Sequence, residues 1–285
     1  MHYRALFIVL ILLLFAAPCL AEIYMGTPPD TWEEQSVLRL TVFPTSCNDS
    51  FLLECGGKSM LIDGGYAQHY NNMHEALEKR GYGTYIDYIV NSHPHDDHIE
   101  CEIKLVKNGL KCEAFLSPFA ENYGNKLHKQ MVKLLNDNGL GYKQLENGET
   151  FLFGEAQIDC FSWLEAVDVN ARSLQMHVRF GDSTLLLTGD LTGLAEHHYL
   201  ELLEEGDLKS DILKAPHHSL VHMVPEYLET VDPGFVIITN TRGDTPKTEN
   251  QLNKRSIQHA YISDGTMVLT TDGRDWYITQ EKGWH

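Results

Sequence analysis

The sequence predicts an α/β domain in which two sheets lie face to face and helices cover the outside. Three observations predict it. Short runs of alternating apolar and polar residues, rich in β-branched side chains, open the chain after Val37; strands and helices then alternate in both halves; and no linker, low-complexity tract or charge block divides the chain beyond that point. With 285 residues, 43% hydrophobic and 22% charged, the chain has the balance of a globular protein and enough length to bury a large core as one domain.

The opening runs are Val37–Val42, Phe51–Glu54 and Ser59–Asp63, separated by Asn, Asp and Gly, and they predict an antiparallel meander. A helix is expected over His69–Lys79, then the apolar strand Tyr85–Val90. Helices near Ile99–Lys107 and Glu121–Leu135 flank a strand at Cys112–Leu116, and Asn138-Gly139 supplies the stop signal for the second helix. A strand-rich block comes next, over about Tyr142–Leu187, with turn signals at Asn147-Gly148 and Gly181-Asp182. The pattern then repeats: strand Thr184–Leu187, helix Ala195–Glu205, strand Asp211–Leu213, helix Pro225–Val231, strand Phe235–Thr239, helix Asn250–His259. A last hairpin turns at Asp272-Gly273.

The first stretch differs from the rest. His2 and Arg4 precede an apolar run from Ala5 to Ala21, ending Cys19-Leu20-Ala21 before Glu22, which predicts a secretory signal peptide over residues 1–21. An uncleaved anchor helix is the alternative, because about 17 apolar residues reach the lower limit for spanning a bilayer. In either case residues 22–285 are expected outside the cytoplasm, secreted or anchored through the N-terminal segment; cleavage would leave no stable membrane insertion.

The formal charge is -18, with 22 Lys and Arg against 40 Asp and Glu. An acidic surface opposes broad docking on nucleic acid or anionic lipid, which relies on clustered cations. Beyond Cys19 the cysteines are Cys47, Cys55, Cys101, Cys112 and Cys160, an odd number without C-x-x-C spacing. Cys101 and Cys112 are candidates for a pair; buried free thiols are the favoured reading.

The strongest chemical signal is Asn91-Ser92-His93-Pro94-His95-Asp96-Asp97-His98, between the strand ending at Val90 and the next helix. His93, His95, Asp97 and His98 put four metal donors within six residues, where a loop at a strand end and the first helical turn can aim them at one point. Imidazoles mixed with carboxylate suit zinc, manganese or iron. The chain has 15 histidines, but this compact arrangement argues against a polar loop with chance ones.

This segment resembles the H-x-H-x-D-H signature of the metallo-β-lactamase superfamily. Leu61-Ile62-Asp63-Gly64-Gly65 is similar to the family's strand and turn upstream, Leu186-Leu187-Thr188-Gly189-Asp190 to the strand ending in a bridging Asp, and Leu213-Lys214-Ala215-Pro216-His217-His218-Ser219 to the strand ending in a ligand His. Their order and spacing agree over nearly the whole chain after Val37. The resemblance implies a four-layer αββα sandwich and two divalent cations, Zn2+ with Mn2+ as the alternative. It places His93 and His95 at a first metal site, Asp97 and His98 at a second, and Asp190 between them. One of His217 and His218 completes the second site and the other faces substrate. Asp96 is read as a capping or supporting residue.

Within the superfamily, His217-His218 and Asn170-Ala171-Arg172-Ser173-Leu174 resemble the hydrolase domain of DNA-uptake competence proteins and of secreted phosphorylcholine esterases. In that subgroup the third histidine of the first site is often absent, with an Asn-containing segment near its place. His128, on an expected helix, and His177, in an expected strand, are accordingly not read as ligands. Ser219 departs from the subgroup, which carries Gly there.

The resemblance implies hydrolysis by a hydroxide formed on the metals, with Asp97, His217, His218 and Lys214 as catalytic candidates; Lys214 is equally well read as a solvated lysine. A small or cell-surface phosphodiester or similar phosphoester is the first expectation for substrate, with nucleic acid disfavoured by the charge. A lactam, lactone or thioester is the alternative. An iron redox enzyme ranks lower, because the flavodiiron pattern has Glu where this chain has His95. A noncatalytic binding domain also ranks lower, because the candidate ligands are retained.

Overall fold

A computed structural model describes residues 21–34, 36–204 and 206–284 of the chain. The expected leader lies outside the described residues except for Ala21, and no described helix is long and apolar enough to cross a membrane.

The chain begins with β1 (Ile23–Met25) and the meander β2 (Leu38–Val42), β3 (Ser50–Cys55) and β4 (Lys58–Gly64). Next come α1 (Tyr70–Lys79), β5 (Tyr85–Val90), α2 (Asp96–Lys107), β6 (Lys111–Ser117), α3 (Lys126–Asn138) and β7 (Gly141–Gln144). Strands β4 to β7 pair in parallel, and β5, β6 and β7 are each reached through a helix. The second half opens with three antiparallel neighbours, β8 (Thr150–Phe153), β9 (Ala156–Phe161) and β10 (Gln175–Phe180), and then β11 (Ser183–Leu187). It continues as α4 (Gly193–Leu202), β12 (Ile212–Lys214), α5 (Pro225–Val231), β13 (Phe235–Ile238), α6 (Pro246–Lys254) and β14 (Gln258–Tyr261), with β11 to β14 parallel. The closing hairpin β15 (Thr266–Thr271) and β16 (Trp276–Glu281) returns to the first sheet beside β2. The orders are β1-β16-β15-β2-β3-β4-β5-β6-β7 and β14-β13-β12-β11-β10-β9-β8.

Alternation along the strands separates the layers. Leu40, Met60, Ile62 and Val90 of the first sheet meet Ile158, Val178, Leu185, Leu187 and Ile237 of the second in one buried core. Neighbours of opposite pleat, Leu52, Leu61 and Ile89, pack outward on Met73, Leu77, Ile99, Ile103 and Met131 of α1, α2 and α3. On the other side Leu186, Leu213 and Val236 pack on Tyr199, Tyr227, Leu228 and Leu252 of α4, α5 and α6. Each such leucine contributes roughly 1.5–3 kcal/mol by leaving water, so a one-residue slip that swapped Leu185 for Leu186 would disturb two layers together. The result is the expected αββα sandwich.

Several boundaries differ from expectation. Helix α2 starts at Asp96 rather than Ile99, so Asp97 and His98 sit in its first turn. Helix α3 starts at Lys126, where the Asn125 side chain accepts the backbone N–H of Leu127 and His128, and the capping group sets the boundary. The expected helix over Asn250–His259 is shorter and earlier, because Pro246 opens it and Gln258–Tyr261 forms an edge strand against Phe235–Ile238. That strand and β1 were illegible because each is short and held by pairing rather than by its own alternation. Cys101 and Cys112 are buried free thiols, as are Cys55 and Cys160, and Cys47 is a half-buried one.

Candidate metal centre

The carboxyl ends of β4, β5, β11, β12 and β13 open toward the same point, and each contributes to one buried polar cluster. Asp63, next to last in β4, lies in the left-handed region at φ 52°, a conformation Asp tolerates better than most residues. Its carboxylate accepts from Asn91 Nδ2 at 3.1 Å, the Ser92 N–H at 2.8 Å, Ser92 Oγ at 2.7 Å and His98 Nδ1 at 2.8 Å. Asp63 thereby organises the loop after β5 and the first turn of α2 together. A carboxylate can only accept, so His98 carries its proton on Nδ1 and turns Nε2 toward the cluster.

His218 is oriented in the same way from the other sheet. Its Nδ1 lies 3.2 Å from Asp49 Oδ1 and 3.1 Å from Thr239 Oγ1, and its Nε2 faces Asp190 Oδ1 at 3.2 Å and Asp97 Oδ2 at 3.4 Å. His98 Nε2 lies 3.2 Å from Asp190 Oδ2 and 3.9 Å from Asp97 Oδ1. One donor atom each from Asp97, His98, Asp190 and His218 falls within 4.8 Å of every other. Zinc–ligand distances of about 2.0–2.1 Å place tetrahedral ligands roughly 3.3 Å apart, which is close to the shorter separations here. His98 Nε2, His218 Nε2 and Asp190 Oδ1 are buried without a hydrogen-bond partner. Buried polar atoms left without partners are costly, and a divalent cation is the group that would satisfy all of them.

A second donor set also faces Asp190, at the oxygen that His98 approaches. His93 Nε2 and His95 Nδ1 are 3.0 Å apart, and His93 Nε2 and His217 Nε2 each lie 3.8 Å from Asp190 Oδ2. Asn170 Nδ2 is 3.3 Å from His217 Nε2, while Asn170 Oδ1 is buried and unpartnered. These residues fit a two-metal site about Asp190. His217 and His218 thus separate in space: His218 is buried, whereas the His217 side chain is 25% exposed at the open side. The backbone that splays them is unusual, since His217, His218 and Ser219 all have positive φ, at 48°, 50° and 62°. Such conformations cost of order 1–3 kcal/mol each when the residue is not glycine. Asn240 Nδ2 donating to His218 O at 2.9 Å, and Thr248 Oγ1 to Ser219 O at 3.3 Å, help to hold the run.

Asp190 depends on equally close packing. Its backbone N–H donates to Ser173 Oγ at 3.1 Å. Gly189 before it has φ 52°, and a Cβ there would lie 2.9 Å from Ser173 Cβ and 3.1 Å from Ser92 Cβ, so the position requires glycine.

Lys214 corrects the sequence expectation. It is neither solvated nor at the open side: its buried ammonium lies 2.5 Å from Asp49 Oδ2, donates to Gly189 O at 2.7 Å and sits 3.7 Å from Asp190 Oδ1. It braces Asp49 and the Asp190 turn from behind. Asp96 caps no helix, for His95 is the N-cap; its side chain accepts the Asp97 N–H at 3.1 Å. His128 lies apart on α3, bonded to Ala120 O at 3.0 Å, and His177 is buried in β10. Asp49 and Thr239 escaped the sequence reading. Asp49 lies in the Asn48-Asp49-Ser50 stretch between strands, where polar residues read as turn formers.

The electrostatics arise from crowding charges out of water. Burial pushes the Asp190 carboxyl up, but His218 and His98 outweigh it and hold it well below the usual carboxylate range. Burial pushes His98 and His218 down, yet Asp190 with Asp63 or Asp49 raises both well above the usual imidazole range. Burial and the nearby His98 lower His93. The imidazoles of His98 and His218 therefore join the Lys214 ammonium as cations among the four carboxylates of Asp49, Asp63, Asp97 and Asp190.

The family model of the metallo-beta-lactamase superfamily matches residues 48–223. No curated protein sequence matches the chain significantly. Among solved structures, the metallo-beta-lactamase fold protein YhfI from Bacillus subtilis is similar over 82% of this chain and 100% of its own, at 14% identity and a TM-score of 0.57. CmlA, a diiron beta-hydroxylase from Streptomyces venezuelae, is similar over 86% of this chain at 12% identity and a TM-score of 0.54; the match spans 55% of CmlA. At these identities the likeness is one of fold.

Proposed function

The chain belongs to the metallo-β-lactamase superfamily, and from that premise we propose that it is a secreted metal-dependent hydrolase of phosphodiesters or similar phosphoesters. The observation that carries the metal-dependent part is the convergence of three buried, unpartnered donors, His98 Nε2, His218 Nε2 and Asp190 Oδ1, beside Asp97. In this reading Asp97, His98, Asp190 and His218 hold one divalent cation, and His93, His95 and His217 hold or face a second across Asp190, with Zn2+ or Mn2+ as the ions. When bound, the two cations supply Lewis-acid activation of water near neutral pH and neutralise charge on a phosphoryl oxygen.

The chain's own residues do the rest. Asp63 and Asp49 fix His98 and His218 through Nδ1, so that each Nε2 is presented without a rotamer search. Burial pushes the Asp97 carboxyl up, but the neighbouring imidazoles of His218 and His98 outweigh it and keep Asp97 ionised. With its side chain 17% exposed, it is the carboxylate within reach of a proton released at the mouth. His217 and Asn170 stand side by side at the open edge, an imidazole and an amide able to donate to an oxygen that gains charge. What supports phosphoryl over acyl transfer in this reading is the resemblance, in sequence, of Asn170-Ala171-Arg172-Ser173-Leu174 and His217-His218 to the phosphorylcholine-esterase subgroup.

Metal analysis of the purified protein, with bis-nitrophenyl phosphate, nitrophenyl phosphorylcholine and a chromogenic lactam as substrates, tests the proposal. The expected result is phosphoester turnover that chelation abolishes and Zn2+ or Mn2+ restores. Turnover of the lactam alone would transfer the chemistry to acyl substrates, and stoichiometric iron with oxygen consumption would replace hydrolysis by redox chemistry. N-terminal sequencing of protein from the culture medium tests secretion, with Glu22 as the expected first residue.

A further inference from the structure

Outside the metal centre, a cleft of about 400 Å3 is lined by His222, Pro225, Lys247, Asn250, Gln251, Lys254 and Arg255. Lys247, Asn250, Gln251 and Lys254 stand at i, i+3, i+4 and i+7 of α6 and so share one face. Thr248 and Leu252 are the buried residues of that helix. Arg255 is paired with Glu229 at 2.9 Å, but Lys247 and Lys254 form no ion pair among the described residues. That is notable in a chain with 40 acidic residues against 22 Lys and Arg. Two lysines without ion-pair partners, a histidine and two residues with side-chain amides thus border one concavity of an otherwise acidic protein. Pro225 and the lysine stems give the same concavity an apolar lining.

The cleft is tied to the metal centre through the segment that carries the ligand histidines. Thr248 Oγ1 donates to Ser219 O at 3.3 Å and Gln251 Nε2 donates to Met223 O at 2.8 Å, so α6 is fastened along the chain between His218 and Pro225. His222 is four residues beyond His218, which limits their separation to about 14 Å. We propose that this cleft is a second anion site, which takes a further phosphate group of an organic phosphoester while the scissile phosphate occupies the metal centre. The proposal rests on the phosphoester reading above and narrows it: the substrate carries at least one phosphate besides the one attacked. It also reconciles such a substrate with an acidic protein, since the attraction is confined to the cleft and the metals.

Two esters with the same leaving group test it on the metal-loaded protein: thymidine 5′-(p-nitrophenyl phosphate), and the same ester carrying a 3′-phosphate. The 3′-phosphate is expected to lower KM by about tenfold, an advantage that shrinks as salt rises from about 50 to about 500 mM. In the K247E/K254E variant the ratio of the two KM values should fall to about one. Equal KM values in the unaltered protein, or a ratio that survives in the variant, would overturn the cleft as an anion site. If neither ester is cleaved, the phosphodiesterase reading fails by itself. Calorimetric titration with thymidine 3′,5′-bisphosphate then decides the cleft: weaker binding by K247E/K254E supports it, and equal binding overturns it.

Discussion

Replacing Asp63 by Asn perturbs the metal centre without touching a proposed ligand. The Asp63 carboxylate accepts four hydrogen bonds, from Asn91 Nδ2, Ser92 N, Ser92 Oγ and His98 Nδ1. An amide of the same shape can keep the pair at Oδ1, but its NH2 group cannot accept from Ser92 Oγ or His98 Nδ1. His98 then loses both its orientation and the charge that makes its Nε2 a strong donor. Partners of metal-binding histidines are worth about 10- to 100-fold in metal affinity, or about 1.4–2.7 kcal/mol. The metal-free variant should also be less stable by about 3–5 kcal/mol, the usual consequence of removing one member of a buried charge pair. Competition of the protein with a chromophoric chelator for Zn2+ measures the first quantity, and urea unfolding of the chelated protein the second. The variant should regain most of its turnover at saturating Zn2+. Unchanged Zn2+ affinity in Asp63→Asn would refute the idea that this carboxylate prepares His98 for a cation.

The same geometry yields other expected outcomes. His95→Ala and Asp190→Ala should each abolish hydrolysis while circular dichroism shows the fold intact; undiminished turnover in both would remove the proposed site. Lys214→Met leaves Asp49 buried without its ammonium partner, and an expected loss of about 3–5 kcal/mol in urea unfolding would show that Lys214 acts by bracing rather than at the substrate. Glu196 is buried on α4 and accepts from the Val224 N–H at 2.5 Å; burial raises its carboxyl to about 7 despite that bond. Because the folded value exceeds the unfolded one, the folded state keeps a proton that the unfolded state releases. Stability should therefore fall as pH rises from about 4.5 to about 7, by about 3 kcal/mol in all, and level off above that. Glu196→Gln should flatten this slope and be the more stable form at pH ~8; a slope identical to that of the unaltered protein would show that Glu196 is not its source.

Much of this centre is legible in the chain because the relevant physics is local. Residues 93–98 lie between an apolar strand and a helix start, and that short range suffices to bring His93, His95, Asp97 and His98 together. Asp190 and the 217–218 pair are recognisable because the strand-end segments that carry them resemble those of the metallo-β-lactamase superfamily, whereas the layer order comes from alternation such as Leu185, Leu186 and Leu187. Distant partners are a different matter. Neighbouring histidines at 217 and 218 have the same chemistry, and only the left-handed turn beneath them, with Asp49 and Thr239 on one side and Asn170 on the other, sends His218 inward and His217 to the open edge. Lys214 is ambiguous for as long as Asp49, far earlier in the chain, is not known to face it. Spacing along a strand or helix is a property of the covalent chain, whereas the direction in which a ring nitrogen points is set by whichever charges the packed sheets place beside it.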